Sequence, residues 1–478
     1  GSELADQPLP GPVTMAAVRT PSYIPKVHIE PIAYRVPKEC FYARCGSLAN
    51  YAWLRKFVAG WGGSLTDIVS LPSLEQPVRQ RMENQLAISL SRSQQMDIDR
   101  YLSDMALIGT DFYFGEGAAI GVLFEARNSA ELKRILDWQR NEALRKDGNA
   151  VAQTLMMLGH RVSLIMTRDH RLRSFYVQDD SYHLITNCEQ IVRQFLASGN
   201  RGGSIGALQE YRFAKSKMDR QSGERALIYL SDPFFRQLAS PQYRTETARR
   251  AESTADMQEL AATQLVARSE LGRLARVAEL ESLGYLPVGF GQRPDGSEVR
   301  WTEDGPEDSL RGHRGTFLPI PDVDVRLLTR SEKNDYHRFV QQYSRQWRRV
   351  DPLAVTLGSK GVNDGLETIQ LGIYVTPYAR QRYAFLARYL APASRKHTGR
   401  IRGDVMSVDT ALRARSGETF QVHLGLQDRK IKYGVKDGQL RLDQPLTGGT
   451  FAVSSQYVAV TPPGVDSLKI VQQFVHDL

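Results

Sequence analysis

A short strand that runs directly into a capped helix recurs along this chain and constrains its fold more than any other feature. In Tyr182–Ser198 the strand Tyr182–Thr186 is followed by Asn187 at a predicted N-cap, with Gln190 three residues later. This spacing lets the two side chains satisfy backbone donors that the first helical turn leaves free. The same strand–cap–helix unit is predicted at the cap residues Ser47, Asn128, Ser231, Thr329 and Thr376.

Hairpins as well as helices follow the predicted strands, which favours an α+β fold over a regular doubly wound sheet. We expect two halves of mainly antiparallel sheet with helices packed on the faces, and we favour a ferredoxin-like arrangement with helices on one face. The predicted organisation is an extended, proline-rich arm at 1–38, a first α+β domain at 39–283 that ends in a long helix, a linker at 284–324 with small hairpins of its own, and a second α+β domain at 325–478.

The long helix is predicted at 242–283, because Gln242–Leu283 contains no proline, and a break near Gly272 would divide it in two. Its apolar face is rich in alanine, which allows close packing. Two interpretations are open. The face packs against another helix or the sheet of the same chain, or it forms a coiled coil that makes the protein a homo-oligomer.

The composition is that of an ordinary globular protein, with 41% hydrophobic and 24% charged residues. No apolar run approaches the roughly 18 residues that span a bilayer. The three cysteines, Cys40, Cys45 and Cys188, lack the CxxC spacing of zinc sites and are predicted as small core residues. Gly1-Ser2 has the form of an expression scar, so the lack of a visible signal peptide carries no information.

Sequence motifs for catalysis are weak. Gly202–Gly206 matches G-x-S-x-G, but it follows a predicted helix, whereas a nucleophile elbow follows a strand. We therefore interpret it as a glycine linker. The acidic pairs Glu303-Asp304 and Glu307-Asp308 are expected in a solvated loop. No metal ligands, cofactor or catalytic residues are predicted.

A basic stretch, Pro377–Gly403, is the most informative surface. It contains no acidic residue, and four aromatic residues are interleaved with its first arginines. Such a pattern is typical of polyanion binding, in which basic side chains contact phosphates and aromatic rings stack on bases. Helical spacing also fits a second interpretation, in which the aromatic side chains lie in the core and the basic side chains form a solvated rim. The overall charge of +9 permits a polyanion such as nucleic acid or an anionic glycan as partner. The candidate binding residues are Arg380, Arg382, Arg388, Arg395, Lys396, Arg400 and Arg402.

Four short segments resemble uncharacterised large exported bacterial proteins of a domain-of-unknown-function family. They are Gly109–Phe114 (GTDFYF), Leu227–Asp232 (LIYLSD), Tyr343–Pro352 (YSRQWRRVDP) and His423–Asp428 (HLGLQD). The resemblance implies a periplasmic or cell-envelope location, and it supplies no activity and no functional residues.

Three functions follow as hypotheses. The first is a non-enzymatic extracytoplasmic binding or scaffold protein with an unknown protein partner or ligand. The second is a hydrolase whose site is assembled from residues distant in sequence. The third is a polyanion binder that uses the basic stretch at 380–402.

Overall fold

The computed structural model describes residues 5–15, 20, 22–60, 76–218, 224–346, 351–363, 366–378, 405–413, 420–426, 429–435 and 449–459. The helices in these ranges are α1 Leu48–Gly60, α2 Gln76–Gln85, α3 Leu90–Gln95, α4 Ser129–Lys146, α5 Glu189–Arg201, α6 Gln209–Lys217, α7 Asp232–Leu238, α8 Pro241–Leu271, α9 Val277–Ser282 and α10 Arg330–Gln346. The strands of the first half are β1 Gln7–Pro8, β2 Phe41–Arg44, β3 Leu102–Gly109, β4 Ile120–Ala126, β5 Val151–Met157, β6 His160–Met166, β7 Arg173–Asp179, β8 Tyr182–Thr186 and β9 Glu224–Leu230. Those of the second half are β10 Val299–Thr302, β11 Gly305–Asp308, β12 Leu327–Leu328, β13 Leu353–Asn363, β14 Leu366–Tyr378, β15 Val405–Arg413, β16 Phe420–Leu426, β17 Arg429–Val435 and β18 Gly449–Ala459.

A 14-stranded sheet, in the order β17-β16-β15-β18-β14-β13-β9-β2-β3-β4-β8-β7-β6-β5, organises the molecule. Its strand pairs are antiparallel except for β15 and β18, which run parallel. The predicted α+β class with mainly antiparallel sheet is confirmed. Hydrogen bonds between β13 and β9 join strands from both sides of the predicted linker, and the division into two domains stays a prediction.

Helices cover both faces of the central strands, not one face as the ferredoxin-like arrangement required. In β4, Ile120, Val122 and Phe124 point into the core beneath α1 and α4, whereas Leu123 points into the core of α5 and α6. β2 and β9 alternate in the same way between the two cores. Successive side chains of a strand point to opposite faces, so a strand covered on both sides is apolar almost throughout.

The predicted helix caps at Ser47, Asn128 and Thr329 are confirmed. The Ser47 hydroxyl accepts from Asn50 N at 3.1 Å, and Asn128 Oδ1 accepts from Glu131 N at 3.2 Å. Thr329 and Glu332 form a complete capping box, with donor–acceptor distances of 3.0 and 2.7 Å. These contacts depend on sequence neighbours alone, which is why the sequence predicts them.

The predicted cap at Asn187 is wrong. Its buried side chain accepts from Ile120 N at 2.8 Å and donates to Ala118 O at 2.8 Å, so it ties β8 to the start of β4. The N-terminus of α5 is instead capped by Asp322, whose carboxylate accepts from Glu189 N at 2.9 Å and Gln190 N at 3.0 Å.

The long helix breaks at Gly272, as the alternative with two helices predicts. Met257, Leu260 and Ala267 of α8 are buried in a core that includes residues of the segment after α9. The β10–β11 hairpin within 284–324 confirms that this segment forms a small hairpin. The apolar face of α8 is therefore used within the chain, and self-association through it stays a prediction.

Two other predictions fail near strands. Thr376 and Pro377 were expected to begin a helix, but β14 continues through both to Tyr378. The sequence from Glu75 to Asp104 also predicts a helix, but β3 begins at Leu102, and the strands β5 and β13 were not predicted. The sequence predicts a final helix at 465–476, which lies outside the described residues.

Candidate functional site

The seven basic residues predicted to bind polyanions all lie outside the described residues, within 379–404. The polyanion hypothesis therefore stays a prediction. The remaining sequence candidate, G-x-S-x-G, begins at the left-handed Gly202 that ends α5. Ser204 is buried and forms a β-bridge with Pro37, consistent with a connecting segment and not with a nucleophile elbow.

A cavity of about 770 Å³ lies between α2, the end of α4 and the loop that joins β6 to β7. Its described lining includes four basic side chains, which are Arg81, Arg92, Lys146 and Arg171. α2 presents Arg81, and the loop presents Arg171. Because these residues come from distant parts of the chain, no short sequence motif contains them.

Three of the four basic groups are neutralised by carboxylates. Glu142 accepts from Arg92 at 2.5 Å and pairs with Lys146 at 2.6 Å, and Arg171 pairs with Asp147 at 3.1 Å. The hydrogen bond from Lys146 lowers the pKa of Glu142, as does the positive charge of Arg92. These groups form the wall of the cavity and already have counter-charges.

Arg81 differs from these three groups. Its Nη2 donates to the carbonyl oxygen of Phe114 at 2.9 Å, while its buried Nε has no hydrogen-bond partner in the described part of the chain. Gly315 lies directly against the guanidinium, because a Cβ there would come within 2.8 Å of Arg81 Cζ. The φ of Gly315 is +98°, so a larger residue would be strained as well as too close. Arg81 is thus held in a cradle made of backbone.

Arg314, which is exposed, adds a second positive charge beside Arg81. Burial lowers the pKa of Arg81, and repulsion by Arg314 lowers it further. Among the described residues, neither arginine forms an ion pair with a carboxylate. Each guanidinium group is a planar set of donors that matches a carboxylate or a phosphate. We call these residues the Arg81–Arg314 pair.

Three side chains on the neighbouring loops could hold a cation. Potential ligand atoms of Asp169, Asp304 and His313 all lie within 4.8 Å of one another. His313 Nδ1 is 2.9 Å from the carbonyl oxygen of Pro306, and its Nε2 is 3.5 Å from Glu307 Oε2. Arg171 also pairs with Asp169 at 3.4 Å, so a basic side chain already contacts one of the carboxylates. The residues are scattered through the sequence, and sequence reasoning missed them.

Cys188 lies beside a second, polar cavity of about 990 Å³, whose lining includes Arg173 and Asp322. Its buried thiol is within hydrogen-bonding distance of Asp322 Oδ1, at 3.3 Å. Burial raises the pKa of Cys188 well above its usual range, and the negative charge of Asp322 raises it further. A thiolate is therefore disfavoured there. Cys40, Cys45 and Cys188 are all buried, as predicted.

Comparison with known protein families, with curated proteins and with solved structures finds no match for this chain. The predicted resemblance to exported bacterial proteins therefore stays a prediction. In the part of the chain that the structure describes, no helix is both long and apolar enough to cross a membrane.

Proposed function

We propose that this protein is a binding protein for a small anionic ligand, which it holds at the cavity between α2 and α4. The Arg81–Arg314 pair carries the proposal. The charge of Arg314 lowers the pKa of Arg81, so the two cations repel each other, and Arg81 lines the cavity and is fixed in place by Phe114 and Gly315. A bound carboxylate or phosphate would accept charge-assisted hydrogen bonds and remove the repulsion.

We propose that the cavity binds its ligand without catalysing a reaction on it, because of the residues that line it. The described lining contains no histidine, cysteine or tyrosine, the side chains that most readily transfer protons or attack near neutral pH. The cavity is large enough for a ligand of several heavy atoms, since pockets of about 300 to 1,000 Å³ commonly hold such molecules. The extracytoplasmic location belongs to the same proposal and is supported by the sequence resemblance alone.

The test is titration of the full chain with inorganic phosphate at constant ionic strength, measured by calorimetry and by thermal unfolding. At about a hundred times the dissociation constant, a ligand that binds only the folded state stabilises it by about 2.7 kcal/mol. We expect phosphate to raise the unfolding temperature of the wild type, and chloride at the same ionic strength to have less effect.

The double variant Arg81→Ala, Arg314→Ala should lose most of this response. Arg338→Ala is the matched control, because Arg338 is an exposed arginine of α10 that pairs with Asp335. If phosphate stabilises the double variant and the control equally, the ion does not bind at the Arg81–Arg314 pair and the proposal is wrong.

A further inference from the structure

The side chains of a serine, a histidine and a tyrosine form a continuous chain of hydrogen bonds where α4 meets β7 and β8. Ser129 is the first residue of α4, Tyr176 lies on β7 and His183 lies on β8. Ser129 Oγ is 2.6 Å from His183 Nε2, and the Tyr176 hydroxyl is 2.9 Å from His183 Nδ1. A nucleophile next to a base that a third group orients is the arrangement used in covalent catalysis.

The contacts of Ser129 favour one direction for its hydrogen bond. Its Oγ accepts from Gln178 Nε2 at 3.0 Å, and of the two acceptors that its hydroxyl can reach, His183 Nε2 at 2.6 Å is much nearer than the carbonyl oxygen of Asp180 at 3.5 Å. His183 then carries its proton on Nδ1 and donates it to the Tyr176 hydroxyl. His183 is fully buried, whereas Ser129 is partly exposed, so the base is shielded and the nucleophile can be reached from solvent.

Burial keeps His183 neutral, and the charged groups around it modify this effect. Burial lowers its pKa to about 4, with a further decrease from Lys133 and an opposing increase from Asp137. Lys133 and Asp137 both lie on α4 and pair with each other. On the strand side, burial also raises the pKa of the Tyr176 hydroxyl, which therefore stays protonated. At neutral pH the imidazole is unprotonated and can accept the serine proton.

The start of α4 supplies the remaining requirement, donors for a developing negative charge. The backbone N–H groups of Ser129 and Ala130 belong to the first helical turn, where amides have no partner within the helix. The positive end of the helix dipole favours an anion at the same place. When Ser129 attacks a carbonyl carbon, the carbonyl oxygen becomes negatively charged and would lie near these donors.

We propose that Ser129 is the nucleophile of an esterase site for small carboxylic esters, separate from the anion cavity. Ser129 Oγ attacks the ester carbonyl carbon, and its proton passes to His183 Nε2. The bond to the alcohol oxygen breaks, and the alcohol leaves with that proton. A water molecule, deprotonated by His183, then attacks the acyl-serine, so that the carboxylic acid is released and the Ser129 hydroxyl is restored.

The activity goes beyond anion binding and does not depend on it. It gives the hypothesis of a hydrolase assembled from distant residues a definite site, since Tyr176 and His183 come from strands that follow α4 in the chain. Tyr176 acts as a positioning residue, because it touches only the imidazole among the reacting groups.

Two measurements on the full chain test the proposal: labelling by a fluorophosphonate probe with mass-spectrometric mapping, and hydrolysis of p-nitrophenyl acetate. We expect the probe to label Ser129 and the substrate to be hydrolysed. Ser129→Ala should lower kcat/KM by at least about a hundredfold, in the range typical of removing a general base or its nucleophile. Ser269→Ala, at an exposed position of α8, is the matched control and should leave the rate unchanged.

His183→Gln should abolish labelling while circular dichroism confirms a native fold, and Tyr176→Phe should lower kcat more than it changes KM. With His183 neutral, the rate should stay flat above about pH 5 instead of rising through the usual histidine range near 6.5. If the folded wild type is not labelled at Ser129, or if Ser129→Ala hydrolyses the ester as fast as Ser269→Ala, Ser129 is not a nucleophile.

Discussion

Arg311 and Arg314 are three residues apart in the chain and meet opposite electrostatic conditions. Arg311 is fully buried in a group of charges that we call the paired cluster, with Glu246, Asp295 and Asp308. Arg314 is exposed and lies beside a second arginine, Arg81. One arginine is surrounded by carboxylates and the other faces a like charge.

The paired cluster joins α8 to the segment around the β10–β11 hairpin. Arg311 donates to Glu246 at 2.7 and 2.9 Å, to Asp295 at 2.5 Å and to Asp308 at 3.1 Å. Because buried ions are stable only when they are fully paired, these contacts determine how the segment packs on the helix. An arginine that lacks such partners at the edge of a cavity is a candidate for binding a ligand.

The largest expected effect is that of Arg311→Met. The substitution removes the closest guanidinium from the buried carboxylates of Glu246 and Asp308, which keep only the longer contacts with Arg250 at 3.3 Å and Arg293 at 3.5 Å. Breaking a buried pair costs about 3 to 5 kcal/mol. Chemical denaturation should show a decrease of this size in the free energy of unfolding.

Arg300→Met is the control for the loss of an arginine in the same region. Arg300 pairs with Glu307 at 2.5 Å, but 37% of its side chain is exposed, and exposed pairs contribute about 0 to 1 kcal/mol. Equal losses in the two variants would show that burial does not distinguish the paired cluster.

The next effect concerns Asp322, another paired carboxylate from the same segment. Asp322→Ala removes the N-cap of α5 and the partner of Arg173, which lies 2.8 Å from the carboxylate. Loss of a cap costs about 1 kcal/mol and loss of the buried pair adds to it, so we expect about 2 kcal/mol or more.

Hydrogen exchange offers a local measurement of the same change. The amides of Glu189 and Gln190 should exchange faster in Asp322→Ala than in the wild type. Asp324→Ala, which removes an exposed carboxylate nearby, should leave both rates unchanged. Unchanged exchange in Asp322→Ala would mean that Asp322 does not cap α5 in solution.

These residues also show which contacts a sequence can predict. The caps at Ser47 and Asn128 and the Thr329–Glu332 box join residues three apart, so the sequence contains both partners of each contact. Asn187 has the same local pattern, yet its side chain bonds to the start of β4 and a remote aspartate takes the capping role. Tertiary contacts overrode the local preference there.

The segment 284–324 departs from what its composition predicts. Its high content of glycine, proline and acidic residues predicts a solvated linker, but Asp308 is only 1% exposed, so the prediction of a solvated loop at Glu307-Asp308 is wrong for Asp308. Its carboxylate is buried because Arg311 and Ser253 supply the partners. Arg81 and Gly315 likewise come together only in the fold, so the candidate site could not be predicted from either stretch alone.

A smaller effect should appear in acid. Burial would raise the pKa of Asp295, but the charge and hydrogen bond of Arg311 outweigh it and lower the pKa to about 2. Because the folded-state pKa is below the ordinary value near 3.8, Asp295 stabilises the fold above about pH 4, and that contribution is lost as the pH falls toward 2. Asp295→Asn should therefore lower the stability of the protein at pH 7 and reduce the loss of stability between pH 4 and pH 2.

Thermal unfolding of wild type and Asp295→Asn at a series of pH values measures this directly. Asp304→Asn is a suitable control, because Asp304 is exposed on the turn between β10 and β11. The assignment fails if the two curves for wild type and Asp295→Asn stay parallel from pH 7 to pH 2.

The smallest effect has the opposite sign. Arg314→Ala should stabilise the protein by about 0.2 to 0.5 kcal/mol in the absence of multivalent anions, since it removes a like charge from Arg81 at a partly exposed position. The gain should shrink as sodium chloride is added, because salt screens the repulsion. Phosphate should reverse the order of stability, since it is expected to bridge both guanidinium groups in the wild type and has only one to bind in the variant.

Unfolding curves of the two proteins at low salt, high salt and in phosphate give all three comparisons. A loss of stability in Arg314→Ala at low salt would mean that Arg314 is held by attractive contacts, and the contrast with Arg311 would disappear.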